Sequence, residues 1–129
     1  MQSYYNNAYF WQKVDTLYFS SKLVIAYEKG DSHKDYKNLI YPVQYGYLSD
    51  LVDDKDLGIA VYRGSKNSNR VDALIIAADI LKKDLEPKLL IGCTESEEMD
   101  VLHFLNQTDL QKTILVRRGQ ELPAWATTD

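Results

Sequence analysis

The chain has 129 residues and a hydrophobic fraction of 45%, which suits one domain with a buried core. Its 15 basic and 19 acidic residues give a formal net charge of −4, so it lacks the basic excess on which nucleic-acid binding depends. Cys93 is the single cysteine and cannot form an internal disulfide, and the longest apolar run, 73–78, is too short to cross a bilayer. Since no leader pattern is recognisable either, we expect a single cytoplasmic domain over residues 1–129 that binds neither nucleic acid nor membranes.

The first predicted element is a helix within residues 1–19. Asn7 suits the N-cap position, and Phe10, Val14 and Tyr18 recur at helical spacing. We expect the apolar face of this helix to pack on the strands that follow.

Short β-rich runs connected by polar segments occupy the middle of the chain. Their predicted bounds are Leu23–Tyr27, Leu39–Leu48, Gly58–Tyr62, Val71–Ala78 and Lys88–Ile91. This succession predicts a mainly β, α+β fold built on a small antiparallel β-barrel that is closed or partly open.

A second helix is predicted after these runs. Thr94 and Glu97 have the spacing of a capping box, and a last strand is expected over Thr113–Arg117. The tail, residues 119–129, carries Trp125, an aromatic anchor for docking on the domain or on a second copy of the chain. A homo-oligomer is therefore one assembly that we consider.

The segment Asn38–Leu48 has the densest pattern in the chain, with three tyrosines, one proline and one glycine among aliphatic residues. Pro42 fixes its own φ, and Gly46 permits a bend or a close backbone approach. Tyr45 and Tyr47 are predicted to share one face of a kinked strand. By itself the pattern fits a tyrosine-rich barrel strand as well as a strand that presents hydroxyls to a ligand.

The run Tyr-Pro-x-x-Tyr-Gly-Tyr at 41–47 resembles the strand signature of soluble, magnesium-dependent inorganic pyrophosphatases. Other motifs follow the family in the same order, over roughly residues 10 to 118: Lys29-Gly30, Tyr62-Arg63-Gly64-Ser65, the 79–84 run, the 88–94 run and the 114–118 run. Together they resemble a short bacterial branch of that family. The resemblance implies a pyrophosphatase-like, OB-like barrel.

The resemblance also implies an active site for pyrophosphate or a related small phosphorylated substrate. Such a site uses Mg²⁺ to generate hydroxide and to neutralise the developing charge, while cations and phenols hold the phosphate oxygens. The matching positions assign Asp53, Asp79 and Glu86 to the metal, Asp53 and Tyr45 to catalysis, and Lys29, Tyr45, Arg63 and Lys88 to the substrate. We expect Tyr45, Lys29, Asp79 and Lys88 to converge on one concave face. Without the resemblance, Asp53 fits a solvated turn, and Lys29 and Lys88 fit ordinary surface lysines.

One departure from the family bears directly on the metal. When Arg63-Gly64-Ser65 is the anchor, Ala60 stands where the family carries a metal-bridging aspartate, and alignment from the preceding loop puts Gly58 there instead. The sequence therefore predicts weak Mg²⁺ binding. Two interpretations remain: a hydrolase with a partly degenerate metal site, or a non-catalytic relative that serves as a phosphate-binding or protein-interaction module.

Overall fold

The computed structural model describes residues 6–107 and 111–118, which form a six-stranded sheet with one helix packed on each face. The elements in chain order are α1 (Ala8–Phe19), β1 (Ser21–Tyr27), β2 (Gln44–Asp50), β3 (Asp56–Arg63), β4 (Val71–Asp79), β5 (Asp84–Ile91), α2 (Glu95–Leu105) and β6 (Gln111–Arg117). The predicted mainly β, α+β class is confirmed.

The strands lie in the order β1-β2-β3-β5-β4-β6. Neighbouring strands are antiparallel except β3 and β5, which run parallel because the 64–70 connection passes over the end of β5 before β4 begins. Within the described residues no pairing joins the outer strands β1 and β6, so the sheet is open and mixed. Of the closed or partly open antiparallel barrel that the sequence predicts, the closed form is not found, and one of the five described strand pairings is parallel.

Both predicted helix starts are confirmed by their caps. The Asn7 side chain accepts a hydrogen bond from the Phe10 N–H at 3.0 Å. At α2, Thr94 Oγ1 accepts from the Glu97 N–H at 3.1 Å, and Glu97 Oε1 accepts from the Thr94 N–H at 2.9 Å. These contacts satisfy backbone donors that have no partner within the helix.

The sheet divides the core into two layers. One layer packs against α1 and includes Trp11, Val14, Leu48, Val61 and Leu89. The other packs against α2 and includes Tyr62, Ile75, Leu90, Val101 and Leu105. Because side chains alternate along a strand, Tyr45, Tyr62 and Lys88 share the face that α2 covers.

Most strand bounds agree with prediction to within two residues, but the starts of β2 and β5 differ by five and four, and a proline lies near each. β2 begins at Gln44 rather than Leu39, since Pro42 cannot donate to a ladder and the residues before it form a loop with one isolated bridge between Ser32 and Ile40. β5 begins at Asp84, before Pro87. Its pairing with β3 starts only at Lys88, so the missing proline N–H costs that ladder nothing.

Two expectations concern the surroundings of the domain. Among the described residues, no helix is long and apolar enough to cross a membrane. The expected docking of Trp125 lies outside the described residues.

Candidate functional site

A cavity of about 330 Å³ opens on the sheet face that α2 covers. The sheet contributes Tyr45, Tyr62, Asp79 and Lys88 to its lining. The 33–41 segment, the turn between β4 and β5, and the C-terminal part of α2 form the other walls. We refer to this cavity as the lysine–tyrosine pocket.

Lys88 is the buried cation of the pocket, with 7% of its surface exposed. Its Nζ lies 3.5 Å from Glu86 Oε2. Burial lowers the pKa of Lys88, and the Glu86 carboxylate opposes that change. An ammonium has three donors and Glu86 engages one side of it, so an anion in the pocket can accept from the others.

The position of Lys88 follows from strand register. It pairs with Ala60 in β3 and with Ile75 in β4, at the centre of the sheet. Alternation along β5 places Glu86 on the same face. The Ala60 side chain is a single methyl group and projects from the same face of the sheet as Lys88.

The rings of Tyr41, Tyr45 and Tyr62 form another part of the pocket lining. The ring centroids of Tyr45 and Tyr62 are 5.1 Å apart, and those of Tyr41 and Tyr45 are 5.4 Å apart. Burial is the largest cause that raises the pKa of each phenol, to about 12 for Tyr41. All three phenols are therefore protonated near neutral pH and can donate to an anion.

Backbone hydrogen bonds close the 30–41 segment on itself. The Gly30 N–H donates to the Tyr41 carbonyl, and the Tyr41 N–H donates to the Asp31 carbonyl, both at 2.9 Å. The Tyr41 ring stacks on Tyr27 with centroids 4.7 Å apart. This closure brings Tyr41 to the pocket although it precedes the strand.

Of the four side chains expected to converge, Tyr45, Asp79 and Lys88 line one pocket. Lys29 lies in an exposed turn after β1 and is not among the described residues that line it. The structure thus brings together three of the four.

Asp53 and Arg63 are placed elsewhere than the resemblance implies. Asp53 lies in the exposed turn between β2 and β3, where its Oδ1 accepts from the Lys55 N–H at 3.0 Å. Arg63 follows the pocket-facing Tyr62, so it projects to the opposite face, and its Nη2 donates to Asn69 Oδ1 at 3.1 Å. Neither side chain is part of the described pocket lining.

The carboxylates do not fit the implied magnesium site. Asp79 Oδ1 accepts from the N–H groups of Leu81 and Lys82, at 2.9 and 3.0 Å, which uses the oxygen to close the turn after β4. Glu86 is paired with Lys88. Across the described part of the chain, no group of three or more His, Cys, Asp or Glu side chains is arranged to hold a metal ion.

Several lining residues escaped the sequence analysis. Tyr62 was noted only as part of a motif, and Lys82 only as part of the 79–84 run, yet both line the pocket. His33, to which no role was assigned from the sequence, also contributes to the lining, and its ring stacks on Tyr41 with centroids 6.0 Å apart. The one sequence signal that could have identified Tyr62 was the alternation of Val61, Tyr62 and Arg63, because successive residues of β3 face opposite sides of the sheet.

Comparisons with protein-family models, curated proteins and solved structures find no match for this chain. The likeness to pyrophosphatases therefore depends on the motifs themselves, and the function has to be argued from the pocket.

Proposed function

We propose that this protein binds a small phosphate-bearing anion in the lysine–tyrosine pocket, as a non-catalytic relative of the soluble inorganic pyrophosphatases with a pyrophosphatase-like fold. The observation that carries the proposal is the burial of the Lys88 ammonium beside protonated phenols in a cavity of about 330 Å³. A buried cation with one carboxylate neighbour gains from a second anionic partner.

Binding would use charge-assisted hydrogen bonds. Lys88 supplies the buried charge at the floor, and the Tyr45 and Tyr62 hydroxyls supply neutral donors on the same sheet face. Lys82, on the turn after β4, adds a second cation nearer the solvent. These groups come from three strands and one turn, so the binding residues are held by the sheet rather than by a loop alone.

The arrangement of the acidic side chains supports anion binding rather than magnesium-assisted hydrolysis. Magnesium-assisted hydrolysis needs several carboxylates around the ions and a water activated between them. Here a methyl group, Ala60, lies beside Lys88, while Asp53 and Asp79 accept hydrogen bonds from their own turns. The cations and phenols that would hold an anion are therefore present in the pocket, whereas the carboxylates do not have the arrangement that a magnesium site needs.

The binding test is calorimetric titration of the wild-type protein with inorganic phosphate and with pyrophosphate, each with and without Mg²⁺. Lys88→Met removes the charge but keeps an apolar stem, and we expect it to weaken phosphate binding at least about tenfold. Lys13→Met is the matched control, because Lys13 is exposed on α1, on the other face of the sheet. The phosphate affinity of Lys13→Met should stay within about twofold of the wild-type value. Equal affinities for wild-type protein and Lys88→Met would contradict the proposal.

Phosphate release from pyrophosphate tests the hydrolytic alternative. With Mg²⁺ present, we expect wild-type turnover far below the order of one per second that marks the low end of ordinary enzymes. A wild-type turnover at or above that rate would establish a hydrolase and would mean that the essential carboxylates lie elsewhere.

A further inference from the structure

The pocket has a wall that phosphate chemistry leaves unused. Apart from its charged and amide side chains, its described lining is largely aromatic and aliphatic. The side chains of this apolar wall are Tyr36, Leu39, Tyr41, Leu81, Phe104 and Leu105.

Two members of the apolar wall are exposed at the surface. Tyr36 is 57% exposed and Leu81 is 71% exposed, and they come from different segments, the 31–41 loop and the turn after β4. Large apolar side chains gain free energy when a ligand removes them from water. An apolar group bound beside both of them would make that gain.

The rings behind them are held in fixed orientations. Tyr41 lies nearly parallel to Tyr27 and to His33, at interplanar angles of 11° and 12°. Tyr36 packs on His33 with centroids 5.4 Å apart, and Tyr41 packs on Phe104 at 4.9 Å. Rings ordered in advance lose little conformational entropy when a planar ligand packs against them.

The charges of the lining also limit the ligand. The described lining contains two lysines, Lys82 and Lys88, and two aspartates, Asp35 and Asp79. A phosphomonoester carries about −1.5 to −2 near neutral pH, so it meets less repulsion than pyrophosphate from Asp35, Asp79 and the Glu86 carboxylate beside Lys88. Pyrophosphate is more highly charged and has no apolar surface, so without a metal it would face the aspartates and leave the apolar wall in water.

We infer that the ligand of the lysine–tyrosine pocket is a small aromatic phosphomonoester, with its phosphate at Lys88 and its ring against the apolar wall. This inference rests on the proposed function, since Lys88 supplies the phosphate end. It goes further in stating that the organic group contributes to affinity and that pyrophosphate is not the preferred ligand.

The experiment compares phenyl phosphate with glycerol 3-phosphate, inorganic phosphate and pyrophosphate by calorimetry, without added metal. Wild-type protein should bind phenyl phosphate at least about tenfold more tightly than each of the other three. Tyr36→Ala should remove about fivefold or more of the phenyl phosphate affinity and change glycerol 3-phosphate by less than about twofold. Tyr9→Ala is the matched control, since Tyr9 is similarly exposed but belongs to α1, and it should leave both affinities unchanged.

The outcomes separate the two claims. Binding of inorganic phosphate that depends on Lys88, with no preference for phenyl phosphate or no effect of Tyr36→Ala, would overturn this inference and leave the proposed function standing. Failure of all four probes to bind would overturn both. Because Tyr36 is exposed, loss of folding is not expected to confuse the result, and thermal unfolding of each variant verifies this.

Discussion

Ala60 and Lys88 are register partners where β3 and β5 run parallel, so the Ala60 methyl group and the Lys88 side chain project from the same face of the sheet. This pairing connects the one position where the sequence departs most from the pyrophosphatases with the one cation that the pocket buries. A charged substitution at Ala60 would therefore alter the charge close to Lys88.

Ala60→Asp should weaken metal-free phosphate binding by about five- to tenfold. The new carboxylate would pair with Lys88 and compete with the ligand, because opposite charges in contact at a partly buried site attract strongly. Ala60→Asn is the control of nearly equal size without charge and should cost less than about threefold. Calorimetric titration with phosphate measures both.

The same variant has a second readout with Mg²⁺. If the pocket descends from a pyrophosphatase site, Ala60→Asp should bind Mg²⁺ more tightly than wild-type protein and release phosphate from pyrophosphate faster. Unchanged Mg²⁺ affinity in Ala60→Asp would contradict the alignment that places Ala60 on the lost aspartate.

Much of the fold could be predicted because its signals are local. Asn7, Thr94 and Glu97 mark helix starts through contacts made within a few residues, and each was identified correctly. The insertion of β5 between β3 and β4 depends on pairing between distant segments, such as Ala60 with Lys88. No local pattern encodes that pairing, so the sequence did not predict the parallel β3–β5 ladder or the open, mixed sheet.

The candidate site shows the same division. Tyr45 and Lys88 were assigned by the motif resemblance, and each lies on a strand, where alternation fixes which side chains face the pocket. Arg63 was assigned to the substrate by motif, although its neighbour Tyr62 takes the pocket-facing position. Asp53 and Lys29 lie on turns, where the direction of a side chain depends on local hydrogen bonds rather than on a period.

Alkaline pH should destabilise the protein through the pocket phenols. The folded-state pKa of Tyr41 is raised from 10.0 to about 12, so its contribution to stability is fully present below pH 10 and is lost as pH rises through about 12. Tyr41→Phe removes a titrating group, so its free energy of unfolding should fall less steeply over that window. Denaturant unfolding at a series of pH values measures the slope.

The titration of Lys88 also contributes to the pH dependence of stability in that measurement, and its contribution has to be separated from that of Tyr41. Burial lowers the folded-state pKa of Lys88, so its contribution to stability changes in the opposite direction as pH approaches the unfolded value of 10.5. Wild-type protein and Tyr41→Phe share this contribution, and it cancels in their difference. Identical slopes for the two proteins would show that Tyr41 ionises as readily in the folded state as in the unfolded state.

Arg117→Met should lower the free energy of unfolding by about 1–3 kcal/mol. Arg117 Nε donates to Glu98 Oε1 at 2.8 Å, and Glu98 is only 5% exposed, so removal of the arginine leaves a buried carboxylate without its cation. Lys22→Met is the control, because the Lys22–Asp54 pair is exposed and its loss should cost less than about 1 kcal/mol. Denaturant unfolding compares them, and equal losses would contradict the burial argument.

Gly46→Ala should destabilise the sheet by about 3 kcal/mol or more. A Cβ at Gly46 would lie 2.2 Å from the Val24 carbonyl oxygen in the neighbouring strand β1. The backbones of β1 and β2 would have to move apart to relieve that clash. The expected close backbone approach at this glycine is thus confirmed.

Gly58→Ala is the matched control for Gly46→Ala. No atom lies within 4 Å of its added Cβ, and its cost should be the roughly 1–2 kcal/mol that a positive φ of 75° imposes on alanine. The two unfolding free energies separate a steric clash from a backbone preference. Equal losses would mean that β1 and β2 can move apart at little cost.

The division of the pocket between strand and loop has an evolutionary consequence. Lys88 and Tyr62 are fixed by ladder pairing, whereas Tyr36 and Leu39 belong to a segment that one isolated bridge and a few turn hydrogen bonds close on itself. Under the proposed function, substitutions in that segment would change which organic group is recognised while the phosphate end and the sheet stay intact. Diverging copies of such a gene would acquire new ligands most readily through residues 33–41.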